Sequence, residues 1–304
     1  MEDYRLIHQG IAGFIRRNRG LMAIWGKEAE RFLNGMITND IRMANDKDTL
    51  KAAFANAQGR LIALVRIKRI DDRFLIETDE SSYQRLFENL SRFTLAGDFF
   101  IENLTDQYEF FHTCNLSSDL DMGLSFDSNL GIDFFVPNDD CEKFIEHLKV
   151  RKSAIEISEQ SFQLLRIEAG MPLYGVDMDE STVVPELGEE GLISYNKGCY
   201  IGQEIIARIH FRGHVAKRLR GLVFLDEPEG LEFKTEIKSQ DDKNAGYITS
   251  YSFSPHFAAT IALAYVRYDY LAEDTLLMVK DKSAKVKDLP FIHFTLKRQE
   301  AINE

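Results

Sequence analysis

From Leu219 to the C-terminus, the sequence alternates short β-prone runs with turn residues and shows little helical periodicity. The runs are Leu219–Leu225, Thr235–Ser239, Gly246–Phe253, Thr260–Tyr268, Thr275–Lys280 and Phe291–Leu296. Strands this short and this close together bury their faces best against one another, so the tail predicts a small all-β barrel or sandwich. A boundary follows near residues 213–218, which divides the chain into an α+β region over 1–213 and a β domain over 214–304.

The first region has a different rhythm. Lys27 to Asn39 reads as a helix, with Ala29, Phe32, Leu33 and Met36 at helical spacing. Leu50–Ala55 and Leu61–Ile70 read as strands joined across Asn56-Ala57-Gln58-Gly59, and Phe74–Thr78 continues the sheet. Arg66, Lys68 and Arg69 lie among apolar residues in the second strand, which predicts at least one wet face. Ser82–Phe93 and Asp139–Leu148 are amphipathic helices flanking aromatic strands at Tyr108–His112 and Ile132–Val136. Helices layered on a sheet, in an α+β arrangement, account for this order.

The 304 residues carry a formal net charge of −12, which disfavours nucleic-acid binding through a broad basic surface. No run of about 18 apolar residues is present, so no membrane span is expected. Met1-Glu2-Asp3-Tyr4-Arg5 has no apolar core behind it, unlike a signal peptide. Three cysteines without a close pair, Cys114, Cys141 and Cys199, predict a reducing, cytoplasmic setting. They also leave the chain without the usual ligands for a metal site or cluster of its own. His112, His147, His256 and His293 have no ligand-like spacing and read as surface or packing residues.

Chemistry concentrates between residues 166 and 220. Cys199 sits between Gly198 and Gly202, two residues after Lys197 and just before a short helical pattern beginning at Gln203. A thiol beside a lysine and near a helix N-terminus favours the thiolate, a nucleophile and metal ligand. From local chemistry alone, a small buried hydrophobe at a strand-to-helix turn is the commoner reading of such a cysteine. Glu168 follows apolar neighbours at the end of a helix, where a carboxylate needs a partner, and Arg166 is one candidate. Arg208, Arg212, Lys217, Arg218 and Arg220 occur with no acid between Ile205 and Leu225. Such a run suits an anion, or keeps an exposed strand edge from aggregating. Arg16, Arg17 and Arg19 form a second, weaker patch.

Lys197-Gly198-Cys199-Tyr200-Ile201-Gly202-Gln203-Glu204 resembles the signature of the YgfZ family, a branch of the glycine-cleavage T-protein (aminomethyltransferase) superfamily. Arg166-Ile167-Glu168-Ala169-Gly170-Met171-Pro172-Leu173-Tyr174-Gly175 is similar to a stretch shared across that superfamily. Asn34-Gly35-Met36-Ile37-Thr38-Asn39-Asp40 resembles its N-terminal motif, and Gly246–Ser250, Ser254-Pro255 and Ile261–Val266 its C-terminal β domain.

The resemblance implies a three-lobed ring: two interleaved, ferredoxin-like α+β lobes and a C-terminal β-barrel around a central folate channel. It implies tetrahydrofolate or a derivative as cofactor, with Glu168 on the pterin and Tyr174, Asn39 and Arg208 among the folate-binding residues. Cys199 and Lys197 are the implied functional pair. A carboxylate can accept two hydrogen bonds from a pterin's planar N–H donors, and Arg208 could hold a glutamyl tail or a tRNA phosphate. Aminomethyltransferases of the superfamily carry an acid on the strand after the glycine turn. Here that stretch is Gly59-Arg60-Leu61-Ile62-Ala63-Leu64, and no Asp or Glu occurs from Thr49 to Ile70. The departure points to an auxiliary role in iron–sulfur cluster assembly or repair, with iron–sulfur client or assembly proteins, including tRNA-modifying ones, as partners. The other expectations are a tetrahydrofolate-dependent one-carbon transferase and a non-catalytic folate- or tRNA-binding scaffold.

Overall fold

The computed structural model describes residues 1–116, 120 and 122–294. In chain order the elements are α1 (Glu2–His8), β1 (Gly13–Arg17), β2 (Arg19–Trp25), α2 (Ala29–Met36), β3 (Leu50–Ala55), β4 (Leu61–Ile70), β5 (Arg73–Asp79), α3 (Glu80–Ser91), β6 (Phe100–Asn103), β7 (Tyr108–Cys114), β8 (Leu124–Asp127), β9 (Gly131–Pro137), α4 (Cys141–Glu146), β10 (Ile155–Glu156) and α5 (Glu159–Glu168). After an irregular stretch come α6 (Gln203–Arg212), β11 (Lys217–Phe224), β12 (Glu236–Lys238), β13 (Asn244–Ser254), β14 (Ala259–Arg267), β15 (Leu276–Val279) and β16 (Lys282–Lys287).

The strands form two five-stranded sheets and a closed barrel. One sheet runs β3-β4-β5-β2-β6, the other β10-β1-β7-β9-β8. They are interleaved, because the chain places β1 in the second sheet before building the first. In the barrel, β11-β14-β13-β12-β15-β16, β16 pairs back onto β11 and removes both open edges.

Alternation along each strand decides what the sheets bury. On the first sheet Met22, Ile24, Phe54, Val65 and Ile76 face one way, under α2 and α3. Leu21, Ala23 and Leu75 face the other way and meet Phe110, Phe126 and Phe135 of the second sheet. The second sheet's remaining face, with Phe111, Phe134 and Val136, packs on Phe144 and Leu148 at and just beyond α4. The sheets are therefore stacked face to face, and each has helices on its outer side. The barrel docks on α1 and α5, with Leu219, Ile261, Leu263 and Tyr265 against Tyr4, Phe162 and Leu165.

A polar clasp fixes that docking. Arg166 Nη1 lies 2.8 Å from Asp177 Oδ2, and its Nη2 donates to Ser250 Oγ at 2.8 Å. Thr249 and Ser250 both donate to Asp177 Oδ1 at 2.6 Å.

Several sequence expectations need correction. The helix expected over Lys27–Asn39 is shorter, Ala29–Met36. The last barrel strand is β16, which carries Lys282, Lys285 and Lys287 among its six residues and so lacks an apolar run. Phe291–Phe294 forms no strand, and residues 295–296 lie outside the described residues. β1 and β2 were not anticipated, because Arg16, Arg17 and Arg19 interrupt their apolar pattern. The wet face expected for β4 is absent at Arg66 and Lys68. Lys68 is 6% exposed, with Nζ on the carbonyls of Asp46 and Lys47, and Arg66 belongs to a buried ion cluster.

Candidate functional site: a charged cleft between the two sheets

The same alternation that puts Leu21, Leu75, Phe110 and Phe135 in the intersheet layer puts Arg19, Glu77, His112 and Asp133 there too, two residues along each strand. There the apolar layer gives way to a cleft of about 870 Å³, counting its open mouth. β4 contributes Leu64 and Arg66, β1 and β2 contribute Arg17 and Arg19, and Phe162, Met171, Pro172 and Leu173 add apolar wall.

The charges are paired across strands. Arg19 Nε lies 2.6 Å from Glu77 Oε2 and its Nη1 2.9 Å from Asp79 Oδ1. Arg66 reaches Glu77 Oε1 through Nε and Asp133 Oδ2 through Nη2, the latter at 2.6 Å. On the second sheet His112 stands directly opposite Asp133 in register, with Nδ1 against Asp133 Oδ1. Burial pushes the Glu77 and Asp133 carboxyls up, but the guanidiniums outweigh it at Glu77, and His112 with Arg66 outweighs it at Asp133. Both end below the usual carboxylate range, Asp133 at about 2. Lys51, on β3, pairs with Glu189 at 2.6 Å, and Arg17 lies 4.4 Å from the Phe162 ring centroid.

Beside the cleft, residues 34–40, β3 and residues 191–201 form one hydrogen-bonded unit. Thr38 Oγ1 donates to Leu192 O and accepts from Ala53 N, while Ser194 N donates to Thr38 O. Asn39 Nδ2 donates to Lys51 O at 2.8 Å and Gly191 O at 2.6 Å. Lys197 is 7% exposed, and its ammonium donates to the carbonyls of Asn34, Ile37 and Asn39 at 2.7, 2.9 and 2.6 Å. These include carbonyls left open where α2 ends, a site that favours a cation. Gly202, at φ +87°, turns the chain into α6 so close to the hairpin that a Cβ would lie 2.6 Å from Asn56 O. Cys199 is exposed on this unit, whereas Cys114 and Cys141 are buried.

A family model, the glycine cleavage T-protein C-terminal barrel domain, matches residues 217–292. An aminomethyltransferase from Thermosipho melanesiensis is 21% identical, covering 97% of this chain and 90% of the relative. A protein of Mycosarcoma maydis named iron-sulfur cluster assembly factor IBA57 homolog, mitochondrial, is 27% identical, covering 68% of this chain and 56% of its own. The crystal structure of the glycine cleavage system aminomethyltransferase T from Bartonella henselae superposes with a TM-score of 0.82, at 17% identity, covering 96% of this chain and 90% of that one.

The chain has the glycine cleavage T-protein fold. Its matched barrel domain and its relatives of both names support a relationship to the wider T-protein superfamily. Among the described residues, no helix is long and apolar enough to cross a membrane, and no group of three or more His, Cys, Asp or Glu could hold a metal ion.

Within the T-protein fold, the residues singled out from sequence do not converge on one place. Leu64 lines the cleft, on the strand where the resemblance leads one to look for an acid. Cys199 does not line it, and among the described residues no hydrogen bond joins Cys199 to Lys197, whose ammonium is committed to carbonyls. Glu168 is fully buried and does not line the cleft. Tyr4 and Ser254 donate to its Oε1 at 2.6 Å, and His8 Nε2 lies 2.8 Å from its Oε2. Its partners are thus α1 and the barrel, and the Arg166 partner expected for it goes to Asp177 instead. Tyr174 is buried in the cluster around α6, with Arg85 donating to its hydroxyl. Arg208 is exposed and pairs with Glu204 one turn earlier on α6, at 2.7 Å. The basic run is dispersed: Lys217 Nζ donates to Tyr247 Oη and Arg220 pairs with Asp288.

Sequence reasoning missed Arg17, Arg19, Arg66 and His112 as cleft residues. An arginine at alternate positions of an otherwise apolar strand, as in Arg19-Gly20-Leu21, was the available signal.

Proposed function

We propose that this chain is a cytoplasmic, folate-binding auxiliary factor of the YgfZ type for iron–sulfur cluster assembly or repair, serving client enzymes that include tRNA-modifying ones. Tetrahydrofolate or a derivative occupies the intersheet cleft, and Cys199 acts at the surface, toward the client. Leu64 carries the reading. It is a hydrocarbon side chain on the cleft wall, in the stretch where aminomethyl transfer calls for an acid. Two of the buried carboxylates nearby, Glu77 and Asp133, are held below the usual carboxylate range by Arg19, Arg66 and His112, so they are poor bases for a folate nitrogen. The relatives named iron-sulfur cluster assembly factors support the same direction.

The test has two parts. Tetrahydrofolate titrated into the purified protein should bind saturably, without conversion of a one-carbon folate. In cells lacking the protein, restoring the wild-type chain should restore an iron–sulfur client's activity, and Cys199→Ala should not. Full client activity with Cys199→Ala removes the thiol from the function.

A second reading, tetrahydrofolate-dependent aminomethyl or methyl transfer, is favoured by aminomethyltransferase relatives that cover nearly the whole chain. Turnover of a one-carbon folate by the purified protein would establish it over the first.

A further inference from the structure

His112 is a cleft residue whose ring has one nitrogen committed and one free. It is 2% exposed and lines the cleft. Nδ1 lies against Asp133 Oδ1, and Asp133 is also held by Arg66 through Oδ2. A nitrogen lone pair facing a carboxylate oxygen would be repelled, so this contact keeps the ring proton on Nδ1. In the neutral ring Nε2 is then an acceptor. It is buried and has no hydrogen-bond partner among the described residues, while Phe162 packs edge-on at 5.3 Å and supplies none. A buried acceptor is rarely left without a donor unless one arrives from outside.

We propose that His112 is a ligand-recognition residue of the cleft: Asp133 fixes its tautomer, and its bare Nε2 accepts a hydrogen bond from an N–H of the bound molecule. Resting on the folate reading above, the donor is an N–H at the edge of the pterin ring. With the His112 ring neutral, the pair on β7 and β9 thereby supplies an imidazole acceptor beside apolar wall. Such an acceptor suits a neutral heterocycle better than an anion.

The experiment compares wild-type protein with His112→Asn, whose amide occupies the Nδ1 side of the ring, keeps a donor for Asp133 and leaves nothing at Nε2. Two probes are titrated: tetrahydrofolate, and p-aminobenzoylglutamate, which lacks the pterin. Tetrahydrofolate should bind roughly tenfold more weakly to His112→Asn, equivalent to about 1.4 kcal/mol, with binding of the fragment unchanged. Equal tetrahydrofolate affinity in the two proteins overturns the role of His112, as does an equal loss for both probes. No saturable tetrahydrofolate binding by the wild type overturns the folate reading, and with it the pterin assignment. Nitrogen NMR of the histidine-labelled wild type requires no variant to fold. It should show the neutral His112 ring protonated on Nδ1, with the Nε2 resonance moving when tetrahydrofolate is added. A proton on Nε2 of the neutral ring, or an Nε2 resonance indifferent to saturating ligand, overturns the proposal.

Discussion

Arg66, on a strand of the first sheet, reaches Asp133 on a strand of the second at 2.6 Å, and the same guanidinium holds Glu77 on its own sheet. This one side chain spans the layer that contains the cleft. Arg66→Met would leave two buried carboxylates short of a cation, and breaking such a pair typically costs about 3–5 kcal/mol. Urea denaturation of the variant should show a loss of that order.

Asp133 should also make the protein acid-sensitive in a defined window. Its folded pKa, about 2, lies below the roughly 3.9 of an unfolded aspartate. Its contribution is therefore complete above the unfolded value and disappears as pH falls toward 2. The unfolding free energy measured from pH 5 down to pH 2.5 should fall less steeply in Asp133→Asn than in the wild type.

Lys197 should behave as a structural cation. Burial lowers its ammonium to about 8, against roughly 10.4 in an unfolded chain. Between those values the unfolded chain holds a proton that the folded one has released, so stability rises with pH there, and the cost of burying the charge is greatest below 8. Lys197→Met should abolish that slope in denaturation curves from pH 7.5 to 10. At neutral pH it should also cost about 1–3 kcal/mol, by stranding the carbonyls of Asn34, Ile37 and Asn39.

The three thiols should separate by reactivity. Cys199 is exposed, while burial and Asp133 push the Cys114 thiol up to about 12. A maleimide added to the native protein should modify Cys199 first, as read by mass spectrometry, with Cys114 protected until unfolding. Cys199→Ala should change stability by no more than about 0.5 kcal/mol, as expected of a surface position.

Glu168 should matter for stability and not for ligand binding. Glu168→Ala removes the acceptor of two buried hydroxyls, Tyr4 and Ser254, and should destabilise the chain by at least about 2 kcal/mol. Its tetrahydrofolate affinity, measured where the variant is still folded, should match the wild type. A selective loss of affinity there would return Glu168 to the pterin.

Much of this architecture was legible in the sequence where one face of a strand is apolar. β3 and β4 have the bounds their alternation predicts, and five of the six barrel strands were recognised, because turn residues punctuate them. The cleft was less legible. Arg17, Arg19 and Arg66 have the pattern of solvated charges, and only the stacking of the second sheet turns that face inward. His112 and Asp133 are 21 positions apart in the chain and meet only through the register of β7 with β9. The motif residues were recognisable as a set, but the contacts each makes in the fold were not. Lys197 caps a helix end, Glu168 fastens the N-terminal helix to the barrel, and Gly202 permits the close approach to the hairpin.

Because the cleft is walled by β4 and β5 on one side and by β7 and β9 on the other, a molecule seated in it would act as a brace across the two halves. Amides at the middle of β4 and at the middle of β9 should then slow their hydrogen exchange together on saturation, although no backbone hydrogen bond joins those strands. A ligand held by the exposed surface around Cys199 would leave both rates unchanged.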